Sequence, residues 1–378
     1  MTLSCEIPVL SGPAVDFEAI PSVPGVFLIW PLEGAPYIGK TNVLRRRLAR
    51  LLRPREGQSR LLNLAAVAER VEYQPTGSPF ESSVLVYRLA RRYRPEDYRK
   101  FLKLRIPPFL KVNLSNPYPR CYITRRLGRD RALYFGPFSA RPAAERFQGA
   151  FLDLFLMRRC REEIVPDPGH PGCIYGEMHM CLRPCQAAST QEQYRGEVGR
   201  VVEFLSTRGE SLLKYFESER EQASAGLEFE QAAHIHKRLE KAQEALKLLA
   251  TGGEELARDV DHLYGIIIQR SAEPEAVELW FLHQGYLQAR QRFTFAVEEG
   301  RPISLEQKLR EKIAGVRFKR RSSIERAEHL ALVIRWHSSS WKQGELLLFD
   351  GMDQAPYRKL VRAISRVAAS PGSDSRRT

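Results

Sequence analysis

The spacing of hydrophobic positions changes several times along the chain, and each change predicts an element. Val26–Trp30 is an unbroken apolar run between Pro24-Gly25 and the Glu33-Gly34 turn, as expected of a buried strand, and Tyr37-Ile38 pairs back on it before Gly39. Asn42 then caps a helix whose apolar stripe is Leu44, Leu48, Leu51 and Leu52. On that wheel Arg46 and Arg50 face away from the core, while Arg47 sits at the edge of the stripe. A second helix runs from about Glu81 to Tyr93, buried through Leu85, Val86 and Leu89 and closed by Pro95. Val112–Leu114 and Cys121–Thr124 read as strands, and Arg125–Gly128 turns the chain toward Tyr134–Pro137. Pro142 opens a helix that reaches about Met157.

Residues 191–250 are helical, with Gly226 dividing two segments. Ile235, Leu239, Ala242, Leu246 and Leu249 repeat at four and three, and Leu212, Phe216 and Ala223 keep a similar period, so an antiparallel hairpin is the simplest product. After residues 251–253 the pattern turns to β over Tyr264–Gln269, Val277–His283 and Leu287–Phe295. In the last of these, Leu287, Ala289, Phe293 and Phe295 alternate with Gln288, Arg290, Arg292 and Thr294, which predicts one wet face. Helices follow around Leu305–Ala314 and Ser323–His337. The fold class is α+β and multidomain: a small α/β domain (15–105), a cysteine-rich domain (106–190), a helical hairpin (191–250), a β-rich C-terminal region with helices (251–365) and a disordered tail (366–378).

Charge sharpens this outline. The formal net charge is +14, and the arginines cluster on the first two helices, which points to a polyanionic partner such as DNA. Arg45, Arg46 and Arg50, with Arg125 and Arg126 on the later turn, are the candidate DNA contacts. No apolar run is long enough to span a membrane, and the first residues lack a secretion-signal pattern, so a cytoplasmic location is expected. Cys5 and Cys121 are isolated and read as structural, whereas Cys160, Cys173, Cys181 and Cys185 are separated by twelve, seven and three residues. Four thiolates so crowded suit tetrahedral zinc or an iron–sulfur cluster, and His170 and His179 can each replace a cysteine. Spacing alone leaves that choice open.

The run from Cys160 through Cys173-Ile-Tyr-Gly-Glu-Met-His-Met-Cys181-Leu-Arg-Pro-Cys185 resembles the cysteine-rich region of the UvrC family, the incision component of excinuclease ABC in bacterial nucleotide excision repair. Thr124-Arg125-Arg126 and Tyr134-Phe135-Gly136-Pro137-Phe138 resemble neighbouring stretches of that family. The resemblance implies a [4Fe–4S] cluster on the four cysteines, with zinc as the alternative, and a place in DNA repair and the SOS response. The segment around Phe229-Glu-Gln-Ala-Ala-His-Ile235 is similar to the family's UVR hairpin, which docks on the helicase component of the excinuclease. It implies partner-binding roles for Phe229, Ile235 and Leu239.

The N-terminal domain resembles the GIY-YIG nuclease domain through Gly25-Val26-Phe27, Tyr37-Ile38-Gly39, Lys40 and Arg47. The resemblance implies that Tyr37 and Lys40 activate water and Arg47 steadies a phosphate, with Mg²⁺ or Mn²⁺ required only if the centre is active. Three positions depart from the family: Phe27 replaces the first tyrosine, Val86 stands where the metal-binding glutamate is expected, and Asp97-Tyr98 stands where an asparagine usually follows Pro95. Glu81 lies too far round the helix to substitute for it. These departures mark a degenerate centre, and the family's C-terminal RNase H-like nuclease domain is expected to be absent. The leading expectation is a repair protein that binds DNA and the excinuclease helicase, without nuclease activity of its own. The alternatives are an active metal-dependent endonuclease making a single-strand incision, and an RNA-binding metalloprotein unrelated to incision.

Overall fold

The computed structural model describes residues 3, 5–8, 16–53, 62–251, 254–295 and 304–370. The N-terminal sheet comprises β1 (Cys5–Pro8), β2 (Gly25–Pro31), β3 (Tyr37–Thr41) and β4 (Ala68–Pro75), in the order β1-β4-β2-β3, with α1 (Leu44–Leu52) between β3 and β4. α2 (Pro79–Tyr93) and the short α3 (Tyr98–Phe101) follow. Strand β2 is apolar throughout because helices cover both of its faces. Phe27 and Ile29 pack with Leu44, Leu48 and Leu51 of α1, while Val26 and Leu28 pack with Leu85, Val86 and Leu89 of α2. The cap of α1 is Val43, not Asn42, and Thr41 Oγ1 accepts the Val43 amide at 3.2 Å. Ser78 caps α2 by accepting the Glu81 amide at 3.1 Å, with Pro79 at the first helical position.

The second sheet, β6-β5-β7-β8, is built from β5 (Phe109–Asn113), β6 (Cys121–Thr124), β7 (Ala132–Gly136) and the late β8 (Arg258–Asp259). Between β7 and β8 run α4 (Arg141–Leu152), α5 (Ile174–Glu177), α6 (Gln191–Ser206), α7 (Glu210–Ala225) and α8 (Phe229–Thr251). A single apolar cluster links Val112 and Phe135 of the sheet to Phe147 and Phe151 of α4, Phe204 of α6, Phe216 of α7 and Leu239 of α8. The hairpin expected over 191–250 is the α7–α8 pair, and α6 precedes it as a separate helix. The extra break falls at Gly209, whose φ of +84° suits a residue without a side chain. A Cβ there would also stand 2.6 Å from the Leu246 side chain.

In the third sheet β9 (Tyr264–Arg270) and β10 (Ala276–His283) are central, flanked by β11 (Tyr286–Leu287), β12 (Gln291–Thr294) and β13 (Glu345–Phe349). α9 (Leu305–Ala314), α10 (Ser323–His337) and α11 (Tyr357–Ala369) cover it on both sides. Ile267, Trp280 and Leu282 face α10, and Ile268, Leu279 and Phe281 face α9 and α11. The strand expected over Leu287–Phe295 is two short strands, β11 and β12, both paired to β10. The ladder breaks where Gln288 turns inward to accept the Lys319 amide at 3.0 Å. The tail expected from residue 366 is still helical to Ala369, because Val367 is buried against the sheet; residues 371–378 lie outside the described chain.

The first and third sheets meet where α2 lies against α10. Phe80 sits edge-on to Trp280 at 5.5 Å and lies 5.1 Å from Trp336. Beside them Glu328, completely buried, accepts the Tyr87 hydroxyl at 2.7 Å, the Tyr98 hydroxyl at 2.6 Å and Arg99 Nε at 2.6 Å. Glu325 is held by Arg91 at 2.9 Å and by Arg321. His329 Nδ1 accepts the Leu287 amide at 3.1 Å, so the ring gains a proton there only by losing that bond.

Burial, aided by Arg321, Arg88 and Arg91, pushes His329 down to a pKa of about 3 from an ordinary 6.5. An unfolded chain takes up this proton below pH 6.5, whereas the folded one refuses it, so the stabilisation is complete above that pH and lost as pH falls toward 3. The loss by pH 5 is expected to be on the order of 1–2 kcal/mol. Comparing urea midpoints at pH 7.5 and 5 with those of His329→Gln checks this; an equal loss in the variant would assign the effect elsewhere.

Candidate functional site

Cys160, Cys173, Cys181 and Cys185 line one cavity, although the chain between them holds little regular structure. The loop is shaped by residues in left-handed conformations, Gly172, His179, Arg183 and Ala187. Its brace is Arg158, only 3% exposed. The Arg158 guanidinium donates to the Tyr118 carbonyl at 2.8 Å, the Glu162 carbonyl at 2.8 Å and the Cys160 carbonyl at 3.1 Å, and reaches Cys160 Sγ at 3.5 Å. The Arg183 amide donates to Cys181 Sγ at 3.4 Å. Burial, reinforced by the other three cysteines, pushes Cys181 up to about 11, and burial raises Cys185 as well. Four thiolates facing one cavity therefore need a positive charge between them. Among the described residues no three His, Cys, Asp or Glu side chains close on a single ion; the thiols ring the cavity instead. His170 Nδ1 accepts the Gly172 amide at 3.0 Å, and neither His170 nor His179 lines the cavity. The isolated Cys121 is buried in the core, and the side chain of Cys5 lies outside the described residues.

The nuclease-like residues divide between two faces of the first sheet. The Tyr37 ring stacks on buried Phe27 at 6.2 Å on the α1 side. Lys40, three residues further along β3 and so on the opposite face, points to α2 and donates to Ser83 Oγ at 3.0 Å. Burial and the nearby Arg335 lower the Lys40 pKa. Arg47 is half-buried on α1. Gly39 is obligatory, since a Cβ there would stand 2.3 Å from the Phe27 ring. Phe27 belongs to the α1 layer and Val86 to the α2 layer, so these two of the three departures from the nuclease pattern lie in different layers. A single active site missing both groups is thus corrected to two separate apolar positions.

The one carboxylate on α2 is Glu81, 2% exposed, and the sequence offered no hint of its partner. Its Oε2 accepts the Gly77 amide at 2.9 Å, and Arg290 from the third sheet pairs with Oε1. That pairing is made in the break between β11 and β12. It leaves Glu81 already neutralised by a cation.

Of the candidate DNA contacts, Arg46, Arg125 and Arg126 are exposed, as is Arg50. Arg45 is engaged within the fold, donating to the Ile20 carbonyl at 2.7 Å and to Glu18 Oε2 at 2.7 Å. The three partner candidates also separate. Ile235 and Leu239 are buried in the α7–α8 seam and cannot meet another chain without opening it; they are corrected to core positions. Phe229 is 66% exposed at the start of α8. Next to it Leu227 is 72% exposed and left-handed, with φ +61°, whereas the expected breaker Gly226 has φ −77°. An exposed leucine held in a conformation it disfavours was not legible from the helical period.

Residues 107–204 match a family model described as "UvrC/Cho excinuclease, middle domain". That stretch holds the second sheet's first three strands, the four cysteines and most of α6. The chain is 30% identical over 285 residues to UvrABC system protein C of Moorella thermoacetica, covering 74% of this chain and 45% of that protein. It is 28% identical to the same protein of Acetivibrio thermocellus (74% and 44% covered) and 29% to that of a Thermoanaerobacter species (75% and 46%). The chain carries the middle domain of the UvrC family and is similar to the N-terminal portion of that family's proteins. It spans about half the length of the curated relatives it matches. No solved structure matches it.

The placement of Val86 sets a test. A glutamate there enters a layer of apolar side chains, so Val86→Glu is expected to destabilise the chain by about 2–4 kcal/mol and to confer no nicking of plasmid with magnesium or manganese, even combined with Phe27→Tyr. Denaturation and a plasmid-nicking assay check both parts; a stable double variant that nicks would put the two positions in one working pocket.

Proposed function

We propose that this chain is a DNA-engaging and partner-recruiting part of UvrC-type excision repair, without phosphodiester hydrolysis at its GIY-YIG-like unit. The observation that carries the reading is the set of four thiols around one cavity inside the matched middle domain. The donor set fits a [4Fe–4S] cluster. All four ligands are cysteines, and two of the sulfurs receive N–H donors from Arg183 and Arg158, the kind of hydrogen bond that tunes a thiolate-bound cluster. When bound, the cluster supplies the positive charge that the buried thiolates require and ties three loop segments together. Arg158 orients the Cys160 end of that loop, and the left-handed Arg183 presents its amide to Cys181.

The partner is the helicase component of the excinuclease, met at the hairpin tip. Phe229 and Leu227 together present an apolar point on an otherwise polar turn, and an exposed aromatic of this kind can anchor an interface. The lack of hydrolysis is supported by Glu81 being held by Arg290 and by the apolar surroundings of Phe27 and Val86. A divalent cation has no free carboxylate on α2.

Two variants of the full chain, purified anaerobically, test this reading reciprocally. Cys181→Ser is expected to lose bound iron, sulfide and the broad visible absorption of thiolate-bound iron. Phe229→Ala is expected to retain all three and to bind the excinuclease helicase about 30-fold more weakly, the loss of a 2 kcal/mol anchor. Zinc without iron in the native chain, or unchanged capture by Phe229→Ala, would overturn the corresponding half.

A further inference from the structure

A basic groove of about 640 Å³ lies where the three sheets' helices meet. Lys103 and Arg105 border it from the segment after α3, Arg125 from the end of β6, Arg141 from the start of α4, and Arg335 from α10. Among the described residues no carboxylate lines it. Lys103, Arg105, Arg125 and Arg335 are all exposed, and Arg335 donates to the Leu102 carbonyl at 3.3 Å. The first turn of α4 opens into the same groove, with no side chain capping it, so its amides add to the field an anion meets.

Arg141 also borders a second groove, of about 470 Å³, on the outer side of β6 and α4. Arg120, Arg159 and Arg161 line that one, and its carboxylate, Glu145, is taken by Arg141 at 2.7 Å. Arg120 lies 4.6 Å over the Tyr122 ring, which forms part of the wall. Arg159 continues from this groove into the cysteine cavity. At the other end, Arg335 is near enough to Lys40 to disfavour its charge. The two grooves thus join at Arg141 into one cationic track from the nuclease-like face to the edge of the cysteine loop.

Resting on the DNA-engaging reading above, we propose that this track holds the phosphodiester backbone of a single DNA strand, with Tyr122 and Arg120 as a platform for an unstacked base. Two features favour an unpaired strand over a duplex. The track is recessed in two grooves that share Arg141, and a flexible strand can enter such grooves where a stiff duplex must bend to follow them. It also pairs cations with an aromatic ring, the combination by which strands are bound irrespective of sequence. The arginines of α1 then lie off the main contact surface, although they carry much of the local charge.

The test is fluorescence anisotropy of the full chain with a labelled oligo-dT strand and with a duplex of the same length, over a series of salt concentrations. Arg105→Glu, Arg125→Glu, Arg335→Glu and Arg120→Glu are each expected to weaken strand binding about tenfold. Each should lower the slope of log affinity against log salt by roughly 0.7, the value for one phosphate contact on a single strand. Lys359→Glu, the same charge reversal at an exposed position of α11, is expected to change affinity less than twofold. Melting temperatures identify any reversal that disturbs the fold, and Arg125→Gln and Arg335→Gln, milder changes at exposed positions, then replace it. If the chain binds the strand but the track reversals act no more strongly than Lys359→Glu, or if only Arg46→Ala with Arg50→Ala weakens binding, the track is wrong while DNA engagement stands. A preference for the duplex overturns the single-strand occupant. Absence of binding to either DNA overturns the DNA reading and the track with it.

Discussion

Glu328, on α10 in the third unit, is fully buried; Arg99 of the first unit neutralises it and the Tyr87 and Tyr98 hydroxyls donate to it, and the arrangement of the chain depends on this contact. A carboxylate so placed is tolerable only while those donors stay in position, since removing them leaves a charge in an apolar environment at a cost of several kcal/mol. The N-terminal unit is therefore fixed to the C-terminal one, and their relation is specified by hydrogen-bond geometry as well as by the packing of Phe80 between Trp280 and Trp336. That docking brings Arg335 beside Lys40 and Arg290 onto Glu81. Without the seam, the basic groove would have no third wall and Glu81 no cation.

The same seam also decides how the residues of the N-terminal unit are partnered. Its sheet keeps the tight Gly39 approach to Phe27 and the cross-strand neighbours Tyr37 and Ile29, because these hold the α1 layer together. Its charged groups have been given other partners: Lys40 to Ser83, Glu81 to Arg290, and Arg91 and Arg99 to the carboxylates of α10. In the cysteine loop of the second unit, a buried arginine rather than a regular element fixes the backbone.

Local features were legible in the sequence. The helix stripe of Leu44, Leu48, Leu51 and Leu52, the α7–α8 seam and the two central strands of the third sheet follow from periodicity, because each buries a face against neighbours of any apolar identity. The four cysteines, which line one cavity, were legible as a cluster because their side-chain chemistry is scarce and they are crowded. What the sequence concealed was long-range pairing. Glu81 and Arg290 are 209 residues apart, and Glu328 meets Tyr87 across 241; no spacing rule relates them. The strand over Leu287–Phe295 alternates well enough to seem continuous, and it breaks because Gln288 finds a partner at Lys319 and Arg290 finds one at Glu81. Ile235 and Leu239 fit both a docking face and a seam, and only the packing of α7 against α8 decides for the seam.

Amide hydrogen exchange in the Glu328→Ala chain is the most direct measure of whether the seam organises the molecule. Losing the carboxylate releases Tyr87, Tyr98 and Arg99 together, so exchange is expected to quicken in α2 and α10 alike, while α4 and α8 of the second unit keep their native protection. Native protection in α2 alongside a loosened α10 would contradict this, because the N-terminal unit would then be held in place by something other than that buried charge.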